Sequence, residues 1–204
     1  MRGRTDWMEP MADAAVSADV VPLDPGGLPD PGRPRYCARC GGQTADVVHG
    51  NDRPRPRCTT CGWTYYARNS LGAAVLIERD GRALLVRRGN PPYLGDWMLP
   101  AGFVEYGEDA EGTAVREAEE ECGVHVTVSG TPGVHFGTDD PRNPGYLLVY
   151  RATLVDPVAE PVAGDDAAQC AWFGRDDLPP NIAFMAHRAA VKAWRERGLP
   201  TGEA

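Results

Sequence analysis

Apolar residues gather into short runs after residue 70 of this chain and are scattered before it. Residues 71–78 (LGAAVLIE) and 83–86 (ALLV) are near-continuous apolar runs on either side of Asp80 and Gly81. Runs of that length bounded by turn residues predict strands, and Asp-Gly supplies the two left-handed residues of a tight hairpin turn. The two runs should therefore pair antiparallel. Residues 90–95 (NPPYLG) read as a loop, and residues 97–100 (WMLP) lead out of it. Residues 109 to about 122 carry a helical pattern and predict the first helix, while residues 124–128, 146–154 and 170–173 predict further strands. Ile182, Met185, Ala189 and Ala193 recur at helical spacing and predict a second helix over residues 182–197. Strands interleaved with helices place the chain in the α/β class.

Composition adds an organisation to that pattern. Residues 1–31 are rich in Pro, Gly, Asp and Ala without periodicity, which predicts a mobile tail. Residues 32–68 form a polar, Arg- and Pro-rich module, and residues 69–204 carry the main domain. A chain of 204 residues with 42% hydrophobic content suits one well-cored domain plus a small module. The net charge of −8 hides a reversal: residues 31–68 hold seven arginines against Asp46 and Asp52, so they are +5 and the remainder is −13. Phosphate backbones are bound through clustered Lys and Arg, so the acidic average argues against a general nucleic-acid binder. No run resembles a signal-peptide core or approaches the roughly 20 apolar residues that span a bilayer, and a cytoplasmic protein with no membrane partner is expected.

Four of the six cysteines form two Cys-x-x-Cys pairs, Cys37 with Cys40 and Cys58 with Cys61, each followed by a glycine. Each pair with its glycine makes a tight knuckle that presents two thiolates to one tetrahedral ion. A redox motif needs one pair, whereas two matched pairs predict a four-cysteine zinc ribbon. Four thiolates leave no open coordination position, so this Zn²⁺ is structural. A ribbon of this size has almost no core, and zinc binding, worth roughly 10–16 kcal/mol in small finger peptides, supplies most of its folding energy. Cys122 and Cys170 are read as small apolar fillers.

The chemistry concentrates in residues 102–124. On a helix Glu117, Glu120 and Glu121 stand at i, i+3 and i+4, so three mutually repelling carboxylates share one face. Glu119 points away from them and is left out of the site. A glycine loop precedes the helix, and Arg116 and Glu108 are placed to pair and fix that loop. A hard dication neutralises such a cluster, and Mg²⁺ keeps waters and substrate phosphate oxygens in its shell.

This segment resembles the Nudix box, G-x5-E-x7-R-E-U-x-E-E-x-G-U, in which U is a bulky aliphatic residue. Gly102, Glu108, Arg116, Glu117, Glu120, Glu121, Gly123 and Val124 fit, and Ala118 is smaller than the pattern prefers. The resemblance implies a Nudix α/β/α sandwich with a mixed sheet, preceded by the small four-cysteine zinc ribbon. It also implies Mg²⁺ or Mn²⁺ held by Glu117, Glu120 and Glu121, with the carbonyl of Ala101 or Gly102 completing the shell. Arg116 would orient Glu117 and pair with Glu108, and is counted with the three glutamates as catalytic. The implied activity is hydrolysis of the diphosphate bond of a nucleoside diphosphate linked to another moiety, such as ADP-ribose, FAD, a nucleotide sugar or an NADH-like molecule. The products would be a nucleoside monophosphate and a phosphorylated partner. The order of ribbon, strand, box and late Trp172-Phe173 is similar to ribbon-bearing Nudix proteins, among them ADP-ribose, FAD and NADH diphosphatases. The NADH group carries a Ser-Gln-Pro-Trp-Pro-Phe-Pro run after its box, where this chain reads TPGVHFG over residues 131–137 and so lacks the run that accompanies NADH specificity. Gln169 stands where related proteins place an acid, leaving Asp165 or Asp166 to supply an accessory ligand or base. A homodimer is implied by the resemblance alone.

In-line attack by water on phosphorus requires a proton acceptor, and Glu120 or Glu117 is the candidate within the box, with Asp166 as the alternative outside it. Tyr93, Trp97, Phe103, Phe136 and Phe184 are candidates to stack on a base, and Arg87, Arg88 and Arg142 to meet phosphates. Of these Phe103, Arg87 and Phe136 are taken as the substrate-binding set. His135 is read as a structural residue in a loop. Two other functions compete: release of diphosphate from nucleoside triphosphates as a sanitation enzyme, and nucleotide sensing by a regulator that binds nucleic acid through the basic ribbon. A sensor has no need of clustered carboxylates, which disfavours the second.

Overall fold

The computed structural model describes residues 33–48, 50, 53–140, 144–164 and 166–197; the tail at residues 1–31, Arg142 and Asp165 lie outside the described residues. The chain forms two compact units that divide between Ala67 and Arg68. In the small unit, β1 (Thr44–Val47) and β2 (Arg55–Cys58) pair antiparallel from Thr44↔Cys58 to Val47↔Arg55. Gly41 and Gly62 follow the two cysteine pairs in the left-handed region, at φ 73° and 71°, where an L side chain would be strained. Their amides donate back to the carbonyls of Cys37 and Cys58, at 2.8 and 3.1 Å, and close the two knuckles.

The larger unit is built on β3 (Ser70–Arg79). It is followed by β4 (Arg82–Arg88), β5 (Trp97–Met98), β6 (Ala101–Phe103), α1 (Ala110–Cys122), β7 (Val126–Gly137), β8 (Gly145–Leu154), β9 (Ala167–Gly174) and α2 (Met185–Arg197). β3 runs parallel to β8 from Ser70↔Gly145 to Ile77↔Ala152 and antiparallel to β6 across Gly72↔Phe103. β8 pairs antiparallel with β7, so the sheet is mixed. The hairpin turn forms at Asp80 (φ 51°) and Gly81 (φ 72°). The pairing expected for its strands does not run their length, since β3 and β4 meet only at Glu78↔Ala83 and Arg79↔Arg82. The two edges of the first half of β3 are already taken by β6 and β8. β4 therefore swings away and pairs with β9 and β5 instead.

Alternate residues of β3 and β4 pack on opposite helices. Ala73, Val75, Ile77, Leu84 and Val86 share a cluster with Ala114, Ala118 and Cys122 of α1. Ala74, Leu76, Ala83 and Leu85 share another with Ala186, Ala190, Val191 and Trp194 of α2. A strand covered on both faces is apolar at every position, which is why residues 71–78 show no alternation. The result is an α/β/α sandwich, with Cys122 buried in the core as a small filler.

Two sequence expectations are corrected here. The second helix begins at Met185 and not at residue 182, because Phe184 adopts a left-handed φ of 52° and Ile182 bridges to Trp97. Its buried face is Ala186, Ala190, Val191 and Trp194, while Met185 and Ala189 are exposed. The indole of Trp194 has the most apolar surface to hide and sets the rotation of the helix. His135 lies on a strand and not in a loop, since β7 continues to Gly137. A register shift between Ser129 and Gly133 interrupts the ladder, with Gly130 at φ 72°, and this irregularity broke the apolar pattern.

Trp194 is fully buried, and its Nε1 donates to Glu78 Oε2 at 3.1 Å. Trp194→Ala is expected to lower unfolding free energy by about 3–5 kcal/mol, read from urea denaturation, with a smaller loss for Trp194→Phe.

Candidate functional site

The helix α1, which carries the three spaced glutamates, is fixed at both of its ends. Asp109 caps the N-terminus by accepting from the Gly112 amide at 2.7 Å. Gly123 ends the helix in the left-handed region at φ 64° and returns its amide to the carbonyls of Ala118 and Glu119. Ala114 and Ala118 are fully buried against the sheet, and their small size lets the helix backbone come close. The side chains flanking that contact are Glu117 and Glu121, only 9% and 6% exposed.

Each buried carboxylate meets the backbone of residues 101–102. The Ala101 amide donates to Glu121 Oε2 at 3.0 Å. Glu117 lies against Gly102, where an added Cβ would stand 1.9 Å from Oε1 and would have to displace that carboxylate. Burial pushes the Glu121 carboxyl up to about 8, the Ala101 amide opposing it and the charge of Glu117 adding to it. Burial also raises Glu117, against the pull of Arg116. Ionising both acids in this place is costly unless a cation joins them.

Arg116 ties the loop to the helix. Its Nε and Nη2 donate to the two oxygens of Glu108 at 3.0 and 3.2 Å, and Nη2 also reaches the Phe103 carbonyl at 3.3 Å. Its Nη1 lies 2.7 Å from both Glu117 Oε1 and Glu120 Oε2. Glu108 in addition accepts from the Glu105 amide at 3.1 Å and from Thr113 Oγ1 at 2.9 Å. Bonding to Arg116 first, and then these donors, holds the Glu108 carboxyl down at about 2. Glu119 points elsewhere, with His125 Nδ1 3.7 Å from its carboxylate.

Glu117, Glu120 and Glu121 line one cleft of about 360 Å³ together with Arg88, Asn90 and Asp166. They do not converge on a single point: among the described residues only the four cysteines bring three or more donor atoms within 4.8 Å of one another. Arg116 occupies the space between Glu117 and Glu120. The donor set nevertheless fits a hard divalent cation, since all the side-chain donors are carboxylate oxygens and the hydrogen bond shown to buried Glu121 is a single backbone amide. In the small unit, Cys37 and Cys61 sulfurs are 3.7 Å apart and those of Cys40 and Cys58 3.5 Å. Amides of Cys61 and Thr60 bond to Cys58 Sγ at 3.4 Å, and bonding led by the Cys61 amide holds that thiol down at about 6 despite burial. Four sulfurs in that arrangement fit a zinc ion.

A second cavity of about 300 Å³ adjoins the cleft and shares Arg88, Met98, Ala101, Gly102 and Phe103 with it. Phe103, half exposed, lines both cavities. Arg87 lines neither cavity: its Nε donates to the Gly95 carbonyl at 2.9 Å and braces a loop. Its neighbour Arg88, across an irregularity in the ladder with β9, reaches both cavities instead. Phe136 also lines neither and packs on Tyr146 with ring centres 4.9 Å apart. Trp97 packs edge-on against Phe173 at 4.8 Å, and Tyr93 edge-on against Phe184 at 4.9 Å. Asp166 lines the carboxylate cleft and accepts from Asn90 Nδ2 at 2.6 Å. Two residues of the second cavity, Asp139 and His187, escaped the sequence reading. Neither sits in a motif, and His187 looks like any polar residue in an alanine-rich helix.

Comparison with known proteins places these features. A family model described as the NUDIX domain matches residues 68–194. The chain is 36% identical over 130 residues to an ADP-ribose pyrophosphatase of Methanocaldococcus jannaschii, covering 63% of this chain and 75% of that protein. It is 33% identical over 149 residues to the NAD-capped RNA hydrolase NudC of Pseudomonas aeruginosa, covering 72% of this chain and 50% of the other, so it spans about half the length of that relative. Among solved structures, a NUDIX hydrolase from Nitrosomonas europaea superposes with a TM-score of 0.71 at 28% identity, over 79% of this chain and 90% of the other.

The Glu108 bond to Arg116 has a pH signature. Its folded pKa of about 2 lies below the ordinary 4.5, so the stability it contributes is present above pH 4.5 and is lost as pH falls toward 2. The thermal midpoint of the wild type is expected to fall more steeply across that window than that of Glu108→Gln, and equal slopes would remove the assignment.

Proposed function

Because the chain belongs to the Nudix hydrolase family, we propose that it hydrolyses the diphosphate bond of a nucleoside diphosphate linked to a second moiety, an ADP-ribose-like molecule foremost. The observation that carries this reading is the continuity of a carboxylate cleft with a largely apolar cavity through Arg88, Ala101, Gly102 and Phe103. A diphosphate lies in the first while a group attached to it enters the second.

In this reading Glu117, Glu120 and Glu121, with the carbonyl of Ala101 or Gly102, hold Mg²⁺ or Mn²⁺. Such ions, when bound, neutralise the phosphates and activate the attacking water. Arg116 keeps Glu117 and Glu120 in position, and the two buried acids bind in their ionised form. Glu120 is the most exposed of the three at 44% and takes the proton of the attacking water on a carboxylate oxygen. Arg88, partly buried between the two cavities, meets diphosphate oxygens in place of Arg87. A nucleoside monophosphate and a phosphorylated product leave. The small unit is a separate module in which Cys37, Cys40, Cys58 and Cys61 hold a structural zinc. Among the described residues no helix is long and apolar enough to cross a membrane.

Turnover of ADP-ribose, FAD, NADH, nucleotide sugars and nucleoside triphosphates should be compared with Mg²⁺ and Mn²⁺, with products identified. Monophosphate products are expected, and release of free diphosphate from triphosphates would point to sanitation instead. Glu121→Gln should stay folded by circular dichroism and lose more than about tenfold in turnover. Elemental analysis of the purified chain should find one zinc, absent from a Cys37→Ser/Cys61→Ser variant whose small unit becomes protease-sensitive. A zinc-free wild type with a protected small unit would sink that assignment.

A further inference from the structure

His187 is not used by the hydrolysis proposed above, yet it forms part of the wall of the second cavity. It is only 6% exposed and sits on α2 between buried Ala186 and exposed Arg188. The Leu99 amide donates to its Nδ1 at 3.3 Å. Only an unprotonated Nδ1 accepts, so the single ring proton is on Nε2. Burial, with the nearby charge of Arg88, drives the imidazole down to about 3, and the ring stays neutral at physiological pH.

The Nε2–H group makes no hydrogen bond among the described residues. It is not sealed in the core as His135 Nε2 and Trp172 Nε1 are. His187 lines the second cavity, so an acceptor for its Nε2–H would have to come from there. A buried donor without a partner is unfavourable until something accepts from it. Other polar side chains of the wall are already engaged: Asp139 accepts from Tyr93 Oη at 2.9 Å, from the Met185 amide at 2.8 Å and from Arg188 Nη2 at 2.8 Å, Arg88 donates to the Pro92 and Asn90 carbonyls, and Ser70 and Asp140 have partners of their own.

The remaining wall is mostly apolar, formed by Pro91, Pro92, Met98, Phe103, Tyr146 and Phe184. A sugar presents hydroxyls in all directions and would leave several unpaired against such a surface. A flat nitrogen heterocycle presents apolar faces and concentrates its acceptors at one edge. We infer that this cavity takes the heterocyclic base of the substrate and that His187 is a specificity-determining residue, donating Nε2–H to an acceptor on the base edge. The inference rests on the hydrolase reading above. His187 does not serve as the proton acceptor of the reaction, because its one free lone pair is held by Leu99.

The test uses the full chain with Mg²⁺, ADP-ribose, and its 1-deaza-, 3-deaza- and 7-deazaadenine analogues, in each of which one ring nitrogen becomes CH. The wild type is expected to show a KM raised about tenfold for one analogue, with kcat changed less. In His187→Asn the side-chain oxygen falls near the position of Nδ1, keeping the Leu99 bond while withdrawing the donor, and the discrimination should vanish. In His187→Gln the amide reaches the position of Nε2, and part of the discrimination should return. Thermal melts of both variants report the Leu99 bond separately. A wild type that turns over no member of the wider substrate panel sinks the hydrolase reading. A wild type that hydrolyses diphosphates but rejects adenine compounds or treats all analogues alike, or an Asn variant that discriminates as the wild type does, overturns the role of His187 alone.

Discussion

Two acids buried side by side on one face of α1 are the constraint around which the larger unit is arranged. Glu117 and Glu121 sit against the sheet because Ala114 and Ala118 between them let the helix come down onto β3. Proximity to the backbone of residues 101–102 follows, with an amide for one acid and a glycine without a side chain for the other. Neither acid is comfortable there as an isolated anion, and burial raises the proton affinity of both. Arg116 offsets part of that cost and in doing so binds the loop, through Glu108, to the helix that carries the acids. The same guanidinium therefore serves fold and site, and the two cannot be separated at this place.

Much of this was legible from residue spacing. The hairpin turn at Asp80-Gly81, the helix from Ala110 to Cys122 and the clustering of the four cysteines all follow from local chemistry that a few neighbouring residues express. What spacing could not express was competition between distant segments. Nothing near residues 71–88 announces that β6 and β8 will claim the edges of β3, and only that claim explains why the hairpin strands part. The face of α2 was misjudged for a related reason: Ile182, Met185, Ala189 and Ala193 recur at helical spacing, but the indole of Trp194 lies on another face and is the one buried.

The candidate site shows the same division. The box residues could be picked out together because they are spaced along one helix and the loop before it. Residues of the second cavity come from β3 to β8 and α2, and no short window contains them. Choosing Arg87 over Arg88 was a matter of which side of a strand faces inward, and that is decided by what packs on it.

The parting of β3 from β4 also has an architectural meaning. If the ladder begun at Glu78↔Ala83 continued, Ala73 would sit opposite Arg88 and the residues after it would close over Gly72 and Ser70. β6 lies along that edge instead, and Ser70 and Gly72 border the second cavity together with Ala101, Gly102 and Phe103 of β6. Two prolines of the connector from β4 to β5, Pro91 and Pro92, form part of the cavity wall, while the buried acids sit outside it on α1. Substitutions at those prolines would therefore reshape the cavity without touching the helix that carries the acids.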